Sequence, residues 1–170
     1  MKTRSSRTTG ATIYTLFCLC SVAASAQSAP PPPTILKAPL MQHVTGSFEV
    51  KLTPQTGTPA IEAAKLGRQA IDKQFQGDLN AHSLGEMLAT GTEVKGSAGY
   101  VAIERVTGTL LGKKGSFVLL HTGIMNRGQP QLTVQVVPDS GTDELSGLTG
   151  QMGIQINNGQ HSYTFDFSLR

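Results

Sequence analysis

The amino-acid sequence predicts an all-β fold, a single antiparallel barrel of eight strands, and three observations support this prediction. Four stretches alternate apolar and polar residues with period two, which is typical of strands that bury one face. Four further runs are rich in β-forming residues, and turn signals separate the runs. No long helical pattern occurs. Such a sequence fits an antiparallel barrel or a sandwich, and of the two we favour the barrel.

The beginning of the chain has the order of a secretory signal peptide. Basic residues come first, an apolar stretch covers residues 11–24, and Ala24-Ser25-Ala26 follows with the small residues of a cleavage site. We therefore expect residues 1–26 to be removed after Ala26 and the protein to be periplasmic or secreted. The apolar stretch has about 14 residues, whereas a membrane-spanning helix needs roughly 20, so we expect no membrane anchor after cleavage.

The predicted cleavage changes the composition of the mature chain. Cys18 and Cys20 both lie in the apolar stretch, so the mature protein has no disulfide, no thiolate nucleophile and no cysteine metal site. Three of the 14 basic residues also precede the cleavage site, which leaves 11 against 11 acidic residues. Nucleic-acid binders usually carry a basic stripe, and this balance argues against a nucleic-acid partner.

Residues 27–42 are predicted to form a proline-rich tether. Pro30 to Pro33 favour extended polyproline II structure, which we interpret as a spacer. A single β-barrel domain is then predicted over residues 43–170, a length that can bury a substantial core.

The predicted elements follow in order along this domain. The regular alternating stretches cover residues 44–53, 131–136, 148–157 and 162–169, and the less regular runs cover 68–77, 83–90, 99–111 and 116–125. Residues 60–66 could form one short helical turn, which Gly67 would end. Turns are predicted at 112–115, at 126–128 and at Asn158-Gly159, where a two-residue turn would join the last two strands in a tight hairpin.

Long motifs run through these predicted strands. They are GEML (85–88), GSAGYVAIERVTGTL (96–110), GSFVLLHTG (115–123), VVPDSGT (136–142) and GLTG (147–150). From about His43 to Arg170 the chain resembles the bacterial domain-of-unknown-function family 3224. The resemblance implies an eight-stranded barrel like that of allene oxide cyclase and leaves the activity open. Where that family usually has glycine after Ser-Gly-Thr, this chain has Asp143, which tolerates a positive φ better than most residues.

Strand parity provides the candidate site. On the strand 99–111, Tyr100, Ala102 and Glu104 share one face, so either Glu104 or Arg105 must point into the barrel. His121 follows Phe117 and Leu119 on a face that is predicted to be buried. We expect His121 to lie close to a carboxylate, Glu104 or Glu86, at or just inside one end of the barrel, because each group would reduce the cost of burying the other.

The candidate ligand-binding residues are therefore Glu86, Tyr100, Glu104 and His121. The alternative to ligand binding is that these residues form a paired polar cluster with a structural role, or that they contact water at a mouth of the barrel. The remaining histidines lack the spacing of a metal site, so no metal or other cofactor is expected. No Gly-x-Ser-x-Gly motif supports serine hydrolysis, and the sequence assigns no catalytic residue.

Three functions remain open at this point. The barrel could bind a small apolar or amphipathic molecule in its interior or at its mouth. The likeness to allene oxide cyclase suggests a cofactor-free isomerase or cyclase, with Glu104 and His121 or Glu86 as acid and base. A structural or interaction protein of the cell envelope is the third, and it fits a barrel filled by aromatic side chains. The oligomeric state is left open.

Overall fold

The computed structural model describes residues 40–170, which form a closed barrel of eight antiparallel strands. Each strand pairs with the next, and β8 pairs with β1 to close the ring. The strands are β1 (Gln42–Gln55), β2 (Gly67–Gly77), β3 (Leu79–Gly91), β4 (Ala98–Leu110), β5 (Lys113–Asn126), β6 (Gln129–Val136), β7 (Thr149–Asn157) and β8 (Gln160–Ser168). The predicted fold class is confirmed. The predicted signal peptide and residues 27–39 of the predicted tether lie outside the described residues.

All eight predicted strands are present, and the period-two alternation is visible in their burial. In β8, Tyr163, Phe165 and Phe167 point inward and are buried, while Asp166 between them is exposed. The less regular runs are strands as well, and β3 begins at Leu79, four residues earlier than predicted. No helix in the part of the chain that the structure describes is long and apolar enough to cross a membrane.

Helical structure is confined to two short elements, α1 (Pro59–Ala63) and a 3₁₀ helix at Asp143–Leu145. The side chain of Thr58 caps α1 by accepting a hydrogen bond from the amide of Ile61. The predicted helical turn is therefore present, but it ends at Ala63, and Gly67 is the first residue of β2. Asp143 has a φ of 52°, a positive value that aspartate tolerates better than most residues.

Three hairpins have two-residue turns in which both residues have positive φ, as a type I′ turn requires. The turns are Leu111-Gly112, Arg127-Gly128 and Asn158-Gly159. The turn between β4 and β5 was therefore predicted too far along the chain, at 112–115. Lys113 and Lys114 already belong to β5. A type I′ turn matches the right-handed twist of the flanking strands, and this match favours a two-residue turn made of Leu111 and Gly112.

The two ends of the barrel differ. At one end, which we call the closed end, Leu79, Leu110, Leu145 and Leu148 are fully buried. Aromatic side chains fill the adjoining interior, with Phe165 stacked between Phe117 and Phe167. At the opposite end, which we call the mouth, β4 begins and β5 ends. The core is therefore packed from the closed end to the middle of the barrel.

The wall of the barrel is weakest between β6 and β7. Only Val134–Met152 and Gln135–Gln151 pair across it, whereas β7 and β8 pair along their whole length. Toward the mouth, Leu132 on β6 and Ile156 on β7 remain exposed. We call this gap between residues 129–133 and 153–157 the β6–β7 seam.

Candidate functional site

A cluster of four polar side chains lies inside the barrel, and four consecutive strands contribute one residue each. Lys73 on β2, Ser83 on β3, Glu104 on β4 and His121 on β5 are all buried. Oε1 of Glu104 lies 2.6 Å from Nζ of Lys73 and 2.8 Å from Nε2 of His121, and Oε2 accepts a hydrogen bond of 2.6 Å from Oγ of Ser83. We call these four residues the polar cluster.

Strand parity explains which residues meet. Glu104 shares the inner face of β4 with Ala102 and Val106, and Arg105 points outward, so the choice that the sequence left open is resolved in favour of Glu104. The pairing of His121 with a carboxylate has the geometry that parity predicted. Its location differs from the expectation, because Glu104 lies midway along β4 and the cluster therefore occupies the middle of the barrel.

Glu104 is ionised within this cluster. Burial by itself would raise its pKa, but the hydrogen bond from His121, the charge and hydrogen bond of Lys73 and the hydrogen bond from Ser83 together lower the pKa to about 2. An ionised carboxylate can only accept hydrogen bonds, so Nε2 of His121 carries a proton. The ammonium of Lys73 balances the charge and also lies 4.9 Å and 5.1 Å from the ring centroids of Phe48 and Phe75.

A cavity of about 600 Å³ opens at the mouth. Most of its lining is apolar or lacks a side chain, and of the described lining residues only Lys65 is charged. The inward positions here carry small residues such as Ala89 and Gly123. A Cβ atom on Gly123 would lie 2.1 Å from Cε1 of Tyr100, so the absence of a side chain lets the Tyr100 ring lie across the floor of the cavity.

The cavity lies directly above the polar cluster. His121 and Gly123 are successive inward residues of β5, and Gly123 lines the cavity. Ala102 pairs with both His121 and Met87, and Met87 also lines the cavity. Burial raises the pKa of Tyr100, and the charge of Glu104 raises it further, which places the phenol within the electrostatic field of the cluster. The cavity therefore has mostly apolar walls, and the Tyr100 ring lies at the end of the cavity that is nearer the polar cluster.

Glu86 does not join the cluster. Its side chain lies on the outer face of β3, where Oε2 and Oε1 accept hydrogen bonds of 2.8 Å from Nε and Nη2 of Arg68. The prediction that Glu86 could face His121 was wrong, since the inner face of β3 belongs to Ala81, Ser83 and Met87. Leu84 and Leu88 flank Glu86 on the outer face of β3. Because they are apolar, the sequence did not show which face of this strand is buried.

Lys73 and Ser83 were missed by the sequence analysis. Lys73 lies between Ile71 and Phe75 on the inner face of β2, and both of these apolar residues are buried. A lysine on an otherwise apolar face was therefore the available signal. Ser83 follows Leu79 and Ala81 on the inner face of β3, but a single serine carries little information. Among residues 40–170, no group of three or more His, Asp or Glu side chains could hold a metal ion.

Comparisons with known proteins agree with this architecture. The family model described as a protein of unknown function, DUF3224, matches residues 44–167. The chain is similar to a crystal structure of a DUF3224 protein of unknown function from Shewanella oneidensis MR-1. The two sequences are 56% identical, the TM-score is 0.72, and the match covers 77% of this chain and 98% of that chain. No curated protein matches. The family model and the solved structure confirm the resemblance in the sequence, and the chain belongs to the DUF3224 family.

Proposed function

We propose that the barrel binds one small apolar or amphipathic molecule in the mouth cavity. The observation that carries this proposal is the contrast between the two halves of the barrel interior. One half is packed with aromatic side chains, and the other holds a cavity of about 600 Å³ with mostly apolar walls. Ligand sites in proteins typically have volumes of roughly 300–1,000 Å³, apolar walls and a few polar groups that orient the ligand.

The distribution of side chains supports binding over a purely structural role. The aromatic residues that could have filled the barrel, including Phe75, Phe117 and Phe165, lie between the closed end and the middle. Small residues occupy inward positions at the mouth, among them Ala89 and Gly123. An apolar cavity open to water has a free-energy cost that an apolar ligand would remove.

The same geometry does not favour the isomerase or cyclase alternative. Both carboxylate oxygens of Glu104 accept hydrogen bonds within the polar cluster. With a pKa of about 2, Glu104 holds no proton to donate at neutral pH and is a weak base. The cluster instead joins side chains from four strands in the middle of the barrel.

Fluorescence of the neutral apolar dye N-phenyl-1-naphthylamine tests the proposal. We expect the wild-type protein to bind the dye with saturation, and Ala89→Trp, which fills the cavity, to abolish that binding. Val101→Trp is the matched control, because Val101 lies on the outer face of β4 and its substitution leaves the cavity unchanged. Circular dichroism checks that both variants are folded.

The absence of saturable binding to wild type, or equal binding to both variants, would contradict the proposal. Native mass spectrometry of protein purified from its own host provides an independent measurement, in which we expect a small molecule to accompany the wild type and not Ala89→Trp.

A further inference from the structure

The charge at the mouth cavity comes from a single residue. Lys65 lines the cavity from the loop between α1 and β2, and the other described lining residues are uncharged. Four further charged residues belong to the helix and the loops around the mouth but do not line the cavity, namely Glu62, Glu93, Lys95 and Arg127. A ligand in the cavity therefore meets one positive charge, at the rim.

The backbone fixes the place of Lys65 at this rim. α1 ends in a Schellman motif, in which the amide of Leu66 donates a hydrogen bond of 3.1 Å to the carbonyl of Ile61. The amide of Lys65 donates one of 3.0 Å to the carbonyl of Glu62. Two residues after Lys65, Gly67 begins β2 and also lines the cavity. Backbone hydrogen bonds thus hold the Cα atom of Lys65 beside the cavity, whatever its side chain does.

The conformation of this position gives no reason for a lysine. Lys65 has a φ of 54°, and glycine or asparagine is usual at this place in the motif, because other side chains raise the energy of the left-handed conformation. A lysine at the end of a helix can interact with the helix dipole, but α1 has only five residues and its dipole is small. The adjoining cavity is therefore the better explanation for a lysine here.

No carboxylate in the described part of the chain neutralises Lys65. The ion pairs among residues 40–170 all involve other residues. Glu62 is the acidic residue nearest to Lys65 in sequence, and it lines a different groove, together with Arg68. The ammonium of Lys65 is therefore available to an anion that binds in the cavity.

The rest of the cavity suits an apolar chain. Leu132 on β6 and Ile156 on β7 occupy inward positions, yet they are 41% and 63% exposed where the β6–β7 seam leaves the two strands unpaired. Both residues line the cavity, and Met87 and Tyr100 continue the lining toward the middle of the barrel. A ligand chain that covers these side chains removes apolar surface from water, which favours binding.

We infer that the ligand of the mouth cavity is an amphipathic monoanion, an apolar molecule with one acidic group such as a carboxylate or a sulfonate. The acidic group pairs with Lys65 at the rim, and the apolar part fills the cavity. The inference rests on the proposed binding function and adds the charge of the ligand and the residue that recognises it. One lysine compensates one negative charge, and it repels a cationic amphiphile of the same length.

Decanoate and decan-1-ol separate recognition of charge from apolar binding, because they have the same chain length and differ in the head group. NMR chemical-shift titrations of ¹⁵N-labelled protein at neutral pH measure the Kd of each. We expect Lys65→Asn to weaken decanoate binding about two- to fivefold, in line with one ion pair at a partly exposed rim, and to leave decan-1-ol binding unchanged. Lys65→Arg keeps the charge and should retain most of the affinity for decanoate. Decyltrimethylammonium should bind more tightly to Lys65→Asn than to wild type.

Arg127→Asn is the matched control. Arg127 is also basic, has a φ of 48° and lies at the mouth, but it does not line the cavity. We expect this control to leave decanoate binding unchanged, since salt screens an exposed charge outside the cavity. Both substitutions should raise the melting temperature by roughly 2–4 °C, because asparagine accepts the left-handed conformation at lower cost. Weaker binding of the anion in a variant that is no less stable distinguishes recognition from a structural role.

The failures are distinguishable. If neither decanoate nor decan-1-ol binds to wild type, the proposed binding function is wrong, and the inference fails with it. If decan-1-ol binds, but Lys65→Asn weakens decanoate binding no more than Arg127→Asn does, the cavity binds ligands and the inference about their charge is wrong. A lower melting temperature of Lys65→Asn with unchanged decanoate binding would likewise overturn the inference, since the lysine would then serve the fold.

Discussion

Glu104 is the residue in which burial and charge oppose each other most directly. A fully buried carboxylate loses its hydration, and this protein replaces the lost water with three donors from three other strands. Removing one member of such an arrangement leaves its partners without compensation. The polar cluster therefore makes the middle of the barrel sensitive to single substitutions.

We expect Glu104→Gln to destabilise the protein by about 3–5 kcal/mol, because it leaves the ammonium of Lys73 buried without a counter-charge. Unfolding in urea, followed by circular dichroism, measures the loss. Glu86→Gln is the matched control, since it changes the same residue type on the adjacent strand in an exposed ion pair. We expect this control to have little effect.

A compensating variant keeps that prediction falsifiable if Glu104→Gln fails to fold. Adding Lys73→Met removes the unpaired charge and should recover most of the lost stability. Equal urea midpoints for Glu104→Gln and Glu86→Gln would show that the buried ion pair contributes little.

Acid should weaken the fold through the same carboxylate. The pKa of Glu104 is lowered from 4.5 to about 2 in the folded protein, so its ionised form stabilises the fold above pH 4.5. This contribution, about 3 kcal/mol, is lost as the pH falls from about 4.5 toward 2. Urea unfolding between pH 7 and pH 2.5 measures it. The acid-induced loss should be much smaller in Glu104→Gln than in wild type. In Glu86→Gln it should be only slightly smaller, because the hydrogen bond from Arg68 also lowers the pKa of Glu86 but this ion pair is exposed.

The sequence predicted part of this cluster, and the missing part has a physical reason. Alternation placed His121 on an inner face because its inward neighbours, Phe117 and Leu119, are apolar and its outward neighbour Thr122 is polar. On β3 both faces carry leucine or methionine, so parity could not separate Glu86 from Ser83. Hydrogen bonds between different strands depend on register, which a single strand's pattern does not contain.

At the scale of elements, three type I′ turns connect hairpins but differ in how well their residues suit them. Asn158 is well suited to a positive φ, whereas Leu111 and Arg127 adopt values of 48° although their side chains disfavour them. Glycine follows in each turn, where φ lies between 78° and 87°. The β4–β5 turn therefore retains backbone strain that substitution can relieve.

We expect Leu111→Asn to stabilise the protein by about 1 kcal/mol, because asparagine accepts the left-handed conformation at lower cost. Leu111 is half exposed, so little core contact is lost. Thermal unfolding measures the effect, and Leu84→Asn is the control, since Leu84 is an exposed leucine inside β3. The control should lower stability slightly, because asparagine is unfavourable in a strand. A gain in the control as large as in Leu111→Asn would contradict the explanation.

The elements themselves were largely predictable from the sequence. Alternation identified β1, β6, β7 and β8 because each has one wet and one buried face. The Asn158-Gly159 turn was predicted because it has the preferred residues. The Leu111-Gly112 turn was predicted at the wrong position, because leucine gives no turn signal. The cavity was not predictable, since it depends on which inward positions of different strands reach the same level of the barrel.

At the scale of the whole molecule, we propose that the mature protein begins at Gln27 outside the cytoplasm. Amino-terminal sequencing of the protein from its own host should return Gln27 as the first residue, in the periplasm or the medium. Because Cys18 and Cys20 would be removed with residues 1–26, a reducing agent should leave the urea midpoint of the mature protein unchanged. An intact first segment in the exported protein would contradict the proposal.

The closure of the ring by β1 and β8 has a consequence for how the barrel can form. Seven of the eight strand pairings join neighbours in sequence, and the eighth joins residues 42–48 to residues 161–167. During synthesis from the amino terminus, the first seven strands can form a growing curved sheet, but β1 has no partner on its outer edge until the last strand is available. Closing so long a loop is costly in chain entropy and slows folding. Truncation within β8 should therefore leave an open sheet with two free edges, a species prone to aggregation rather than a smaller barrel.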